Sequence, residues 1–133
     1  MVGNNDDHAR NHAAFWDGKM LRLTPAYDIC PQPRTGRTAT QAMFIHGNNS
    51  MSQLKECLIS APQFQLSKKE AITIIEEIAS SIVDNWGKLC EESELSPVDR
   101  KMFTANQFFN PFAFENLDDD SKYLEKIALK FNT

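Results

Sequence analysis

The strongest pattern in the chain is a run of apolar positions between residues 67 and 88. Ala71, Ile72, Ile74, Ile75, Ile78, Ala79, Ile82, Val83 and Trp86 recur at i, i+3, i+4 and i+7, the period of a helix with one face in a core. Ser67-Lys68-Lys69-Glu70 stands before them as a capping box, and Gly87 lies near their end. The spacing predicts the longest helix of the chain over 67–88, with Ile75, Ile78 and Ile82 buried. Shorter helical patterns follow the same logic. Ser50-Met51-Ser52 opens one that runs to about Ser60, with Leu54, Cys57 and Leu58 on one side. Ser96-Pro97-Val98-Asp99 opens another, carrying Val98, Met102, Ala105 and Phe108 or Phe109 before Pro111 stops it. A last helix from about Asp119 presents Tyr123, Leu124, Ile127, Ala128 and Phe131 on one face.

Elsewhere the pattern changes. Ala13-Ala14-Phe15-Trp16 and Lys19-Met20-Leu21-Arg22-Leu23 flank Asp17-Gly18, the signal of a two-residue hairpin. Cys30 to Asn49 has neither period and contains Pro31, Pro33, Gly36 and Gly47. A loop this long inside a compact domain is usually functional or disordered. Its Thr35, Thr38 and Thr40, with Arg34 and Arg37, offer hydroxyls and bidentate donors to a phosphate or a peptide acid. The plainer alternative is a solvated loop. Phe108, Phe109, Phe112 and Phe114 form an aromatic cluster. Burying one such ring stabilises by roughly 1.5–3 kcal/mol, so the cluster is expected to pin helices together and not to bind a ligand. The expected fold is mainly α with one small β-hairpin near the N-terminus.

Composition narrows the classes. The 133 residues suffice for one domain with a real core. Net charge is −4, and no apolar run approaches the roughly 20 residues that cross a bilayer. The first residues are polar and acidic, unlike a signal peptide. Cys30, Cys57 and Cys90 are odd in number, widely spaced and without a CxxC pair, which points to free thiols in a reducing, cytoplasmic compartment. Residues 1–50 carry +1 and residues 51–133 carry −5. With no basic stripe, direct nucleic-acid binding is not expected, nor is a membrane partner.

The candidate chemistry lies at the start. Asp6 and Asn11 are spaced Asp-x-x-x-x-Asn, and Asp28 follows in Tyr27-Asp28-Ile29. A carboxylate, a neutral amide oxygen and a second carboxylate are what phosphoryl transfer asks for, one to take up an acceptor hydroxyl and two hard oxygens for Mg²⁺. A hairpin between Asn11 and Asp28 would bring them back together. Asp7 lacks the five-residue offset to Asn11 and reads as a turn former. His8 and His12 are four apart, as metal-binding pairs are, but no third ligand type stands nearby for zinc.

Asn4-Asn5-Asp6-Asp7-His8-Ala9-Arg10-Asn11 with Leu23-Thr24-Pro25-Ala26-Tyr27-Asp28-Ile29 resembles the HipA-like serine/threonine kinases of bacterial toxin–antitoxin modules. The likeness continues through Pro31-Gln32-Pro33-Arg34-Thr35-Gly36, Ala39-Thr40-Gln41-Ala42-Met43 and Asn110-Pro111-Phe112-Ala113-Phe114-Glu115. The resemblance implies a protein-kinase-like C-terminal lobe. It implies Asp6 as catalytic base, Asn11 and Asp28 as Mg²⁺ and ATP ligands, and His8 as a catalytic-loop residue that orients the loop. Arg10 stands where many members have Lys. The implied division is 1–30 for catalytic loop, hairpin and metal aspartate, 31–49 for an activation- or substrate-like loop, and 50–133 for a helical bundle.

No Gly-rich phosphate loop or strand lysine precedes residue 6, and the five glycines are scattered. The expectation is a C-terminal lobe that needs an N-lobe, with the chain alone close to inert. The resemblance implies ATP and Mg²⁺ as cofactors, a protein substrate, and a small helix-turn-helix antitoxin as possible partner. The alternative is a non-catalytic lobe acting as an interaction or regulatory module, with an apolar surface where the N-lobe would sit.

Overall fold

The structure is a computed structural model that describes residues 1–34, 36 and 38–131. It is mainly helical with a small antiparallel two-stranded sheet. The strands are β1 (Ala14–Trp16) and β2 (Leu21–Leu23), and the helices are α1 (Leu54–Ser60), α2 (Lys68–Glu92), α3 (Pro97–Asn106) and α4 (Leu124–Phe131).

The longest helix is α2, and its start follows the capping-box logic. Ser67 Oγ accepts from the Glu70 backbone N–H at 3.2 Å, and the Glu70 carboxylate accepts from the Ser67 N–H at 2.8 Å. Ala71, Ile72, Ile75, Ala79 and Cys90 are buried, with Ile82, Val83 and Trp86 partly covered against the same core. Ile78 is a correction. It is 47% exposed, because nine apolar residues span more of the helix than one core face can cover. Ile74 and Ile78 fall on the flank of that face and stay exposed.

Leu54 and Leu58 of α1, Leu124, Ala128 and Phe131 of α4, and Phe109, Ala113, Phe114 and Leu117 complete the core. The aromatic cluster ties its parts together. Phe109 lies 4.7 Å from Phe131 between ring centroids, and Trp86 lies 4.8 Å from Phe108 and 5.4 Å from Phe131. Tilted rings at these separations are favourable arrangements beyond their burial. The cluster therefore joins α2 to α4.

Several boundaries differ from the sequence expectation. The first helix begins at Leu54 behind Gln53, not at Ser50-Ser52, because Gln41 N donates to Ser50 O and Ser52 N to Ala39 O, drawing that stretch into bridge pairing. Cys57 is exposed and not on the buried side. Helix α3 ends at Asn106 and leaves Phe108 and Phe109 outside it, and its Val98 and Met102 face solvent. Helix α4 starts at Leu124 because residues 118–123 form successive turns on Asp118, whose carbonyl accepts from Ser121 N and Lys122 N. The hairpin turn is centred on Gly18-Lys19, one residue later than expected. Trp16 pairs with Leu21, Asp17 N donates to Met20 O at 3.3 Å, and Gly18 takes φ 93°. Asp17 serves as the turn's acceptor, its carboxylate taking the Lys19 and Met20 N–H groups at 2.9 Å each. Those bonds hold its carboxyl below the usual carboxylate range.

The candidate Asp–Asn site

The segment that carries the candidate chemistry is fixed at its first residues by the far end of the chain. Phe109 N donates to Met1 O at 2.7 Å, Gly3 N to Gln107 O at 2.6 Å, and Gln32 N to Gly3 O at 2.9 Å. Gln107 also donates through Nε2 to Pro31 O at 3.2 Å. Gly3 thus lies between two other backbone segments. A Cβ there would stand 2.8 Å from Gln32 O and 3.0 Å from Gln107 O, so only glycine fits.

Beyond Gly3, residues Ala9–Asn11 make one short 3₁₀ turn. Asn11 N donates to His8 O at 2.8 Å, and Asn11 Oδ1 accepts from His8 N at 3.2 Å. The amide is thereby locked at both its backbone and its oxygen. Its remaining polar atom, Nδ2, donates to Asp28 Oδ2 at 2.6 Å. Asn11 is 8% exposed, so this bond lies out of bulk water on one side, where charge-assisted bonds are strongest.

Asp28 reaches Asn11 because the hairpin returns the chain. Thr24 N donates to Ala13 O at 2.9 Å, and Tyr27 Oη to Arg10 O at 2.7 Å. Asp28 itself takes φ 56°, the left-handed region that aspartate enters more readily than most side chains. Strained backbone of this kind is held only where surrounding contacts impose it, and it clusters at functional sites.

Asp6 is exposed, and among the described residues its side chain has no hydrogen bond to Asn11 or Asp28. The structure therefore brings Asn11 and Asp28 together and leaves Asp6 on the solvent side of the loop. His8 presents a buried Nδ1 with no partner among the described residues. His12 Nε2 lies 3.0 Å from Asp7 Oδ1, an exposed pairing within the loop.

Two hollows flank the loop. One of about 400 Å³ is lined by Asn4, Asn11, His12, Tyr27 and the exposed flank of α2 at Ile78 and Ile82. The other, of about 470 Å³, is walled by Met43, Phe44, Ile45, Phe64, Leu66 and Ile74. Asp7 lines both. The two isoleucines that looked like core, Ile74 and Ile78, are walls of these hollows.

Described residues after Asp28 make bridges and side-chain hydrogen bonds. Thr40 bridges Met51, His46 bridges Asn49 around Gly47 at φ 53°, and Gln41 Nε2 donates to Ser52 Oγ at 3.0 Å. Thr38 and Thr40 are exposed, while Arg34 is half-buried. Thr35 and Arg37 lie outside the described residues.

Sequence spacing singled out Asn11 and Asp28, which the structure joins by a hydrogen bond. It missed Gly3, Tyr27 and Gln107 as the residues that position them. For Tyr27 the nearest signal was its place beside Asp28. Gln107 lies 76 residues from its partner Pro31, and nothing local marks it.

The family model for the HipA-like C-terminal domain matches residues 1–86, and the chain belongs to that family. No curated protein and no solved structure matches the chain. The family match ends within α2, yet Gln107 and Phe109 beyond it hold the first residues of the site in place.

Proposed function

We propose that this chain is the kinase-type C-terminal lobe of a HipA-like serine/threonine kinase, supplying the acceptor and metal side of a phosphoryl-transfer site. The observation that carries this is the 2.6 Å bond between Asn11 and Asp28, two residues the sequence separates by a hairpin. Asp6 is the base that takes the proton of a protein hydroxyl, and its exposure suits a group that must meet a protein substrate. His8 holds the loop, with its backbone N–H on Asn11 Oδ1.

The donor set suits Mg²⁺ that arrives with nucleotide. Asp28 offers a carboxylate, and Asn11 Oδ1, engaged once by His8, keeps a second lone pair. Among the described residues no group of three or more His, Cys, Asp or Glu gathers to hold a metal alone. Mg²⁺ commonly relies on one or two side chains plus substrate phosphates and water, so Asn11 and Asp28 fit it as ligands to a nucleotide complex. When bound, the ion would neutralise charge on the transferred phosphate. The chain alone should bind MgATP weakly, because it contains no glycine-rich cover for the phosphates.

The test uses manganese as a paramagnetic stand-in. With ADP present, Mn²⁺ should broaden the Asn11 side-chain amide and the Asp28 backbone amide selectively, and Asp28→Ala should remove the effect. Broadening elsewhere, or unchanged in that variant, would reject the site. In a protein that joins this lobe to a nucleotide-covering lobe, Asp6→Ala should lower phosphoryl transfer about 10²–10⁴-fold, the usual contribution of a general base. Full activity in that variant would reject Asp6 as the base.

A second reading, a non-catalytic interaction module, is favoured by one observation. Phe15, Trp16, Leu21 and Leu23 are exposed on both faces of the hairpin, an apolar surface of the kind that partners cover. A helix-turn-helix antitoxin or the kinase's own N-lobe is the partner proposed for it. Light scattering after size exclusion separates the two readings. Self-association that Trp16→Ser abolishes supports the module, and a clean monomer at high concentration counts against it.

A further inference from the structure

The hollow of about 470 Å³ beside the loop is lined by neither Asn11 nor Asp28, so the phosphoryl-transfer geometry leaves it without a role. Its floor belongs to the core, since Ala71 and Ile75 of α2 line it and are buried. Its rim does not. Phe44 is 68% exposed, Phe64 is 70% exposed, and Ile74 joins them from the bare flank of α2. Three large apolar side chains from three stretches of chain thus stand uncovered around one opening. Grouped exposure of this kind marks a binding surface, whereas apolar residues exposed singly do not. The volume falls within the roughly 300–1,000 Å³ of ordinary binding hollows.

Backbone bonds hold the walls in place. Gln41 N donates to Ser50 O at 2.6 Å and Ile45 N to Asn49 O at 2.8 Å, which closes the stretch bearing Met43, Phe44 and Ile45 on itself. Phe64 ends the 3₁₀ turn Ala61–Phe64, and Leu66 N donates back to Ala61 O at 3.1 Å. The hollow is therefore preformed, and filling it orders little of the protein.

Chemistry restricts the occupant. Among the described lining residues Asp7 alone carries a charge, so the interior suits an uncharged apolar group and disfavours an anion. Asp7 also adjoins Asp6, the exposed candidate base. Consecutive Cα atoms stand about 3.8 Å apart, so a chain whose hydroxyl meets Asp6 passes within a residue or two of the hollow.

We propose that this hollow is the specificity pocket for the acceptor protein, taking a leucine- or phenylalanine-sized side chain within two residues of the reacting hydroxyl. The placing of that hydroxyl at Asp6 rests on the kinase reading; the pocket's preference for an apolar side chain does not.

The experiment needs no phosphoryl transfer. Short blocked peptides carry one serine and differ only in a flanking residue, which is Leu, Phe or Ala. They are titrated into the full chain while the methyl resonances of Met43, Ile45 and Ile74 are followed. Saturable shifts are expected with the Leu and Phe peptides, at affinities about tenfold or more above the Ala peptide, the gain from burying one large apolar side chain. Phe44→Ser and Phe64→Ser remove exposed walls and leave the core intact, and each should bring the three peptides towards one affinity. No preference in the wild type, or a preference kept in full by both variants, overturns the proposal. Methyl shifts that follow protein concentration without peptide put a second copy in the hollow, and overturn it too. Replacing the serine by a spin-labelled cysteine tests the kinase reading apart from the pocket. Broadening at the Asp6 amide supports both. Broadening away from Asp6, with the apolar preference intact, counts against Asp6 as the base and not against the pocket.

Discussion

The chain's two tryptophans meet opposite fates. Trp86 sits within an aromatic group with Phe108 and Phe131, in the region where α2 meets α4. Trp16 lies on β1 and is 65% exposed, with Phe15, Leu21 and Leu23 equally bare around it. Both regions are rich in apolar residues. They differ in whether a second surface exists to meet them. A helix with a broad apolar face finds α1, α4 and the 109–117 segment, whereas among the described residues no third strand pairs with the hairpin of three residue pairs, and its large apolar side chains stay exposed. Isolated two-stranded hairpins are marginal in water, so this one is held by its turn and its ends. The core buries its apolar residues, and the hairpin leaves its own exposed.

The sharpest way to break that contrast is to delete one ring from each region. Phe109→Ala should cost about 3–5 kcal/mol, as removal of a buried aromatic does, because Phe109 is 1% exposed and touches both Phe131 and Phe114. Trp16→Ser should change stability by no more than about 0.5 kcal/mol. Urea midpoints measure both, and comparable losses would mean that the hairpin shares the core. Gly3→Ala probes the seam between the regions. Its new Cβ meets two backbone oxygens that cannot move aside singly, so a loss of about 1–3 kcal/mol is expected, with shifts at Asn11 Nδ2 in the NMR spectrum. Wild-type stability in that variant would show that the seam gives way.

Ser67→Ala removes the α2 cap and should cost about 1 kcal/mol without touching the Asn11–Asp28 bond. An equal loss of Mn²⁺–ADP broadening would show instead that core and site are coupled. The smallest effect concerns pH. The Lys68 ammonium, then the Ser121 hydroxyl, hold the Asp118 carboxyl below its ordinary range. A carboxyl depressed in the folded state stabilises above its unfolded pKa, and that contribution is lost as pH falls through the folded value. Both partners are exposed, so acidification below about 4 should lower the melting temperature only slightly more in wild type than in Lys68→Met. Parallel acid profiles would show the pair contributes nothing.

The sequence by itself determined what short-range chemistry controls. The α2 start could be read from Ser67 and Glu70 because a capping box is complete within four residues. The hairpin could be read from its turn residues, displaced by one because Asp17 acts as the acceptor and Gly18 takes the left-handed position. Asn11 and Asp28 could be singled out by residue type and spacing, and the structure joins them by one hydrogen bond. Tertiary structure decided the rest. Whether Ile78 is core or the wall of a hollow depends on what packs beside α2, and helical period alone carries no record of it. That Gly3 must be glycine depends on Gln32 and Gln107 crossing it. Such facts arise from contacts across tens of residues, whose partners only the assembled core brings within bonding distance.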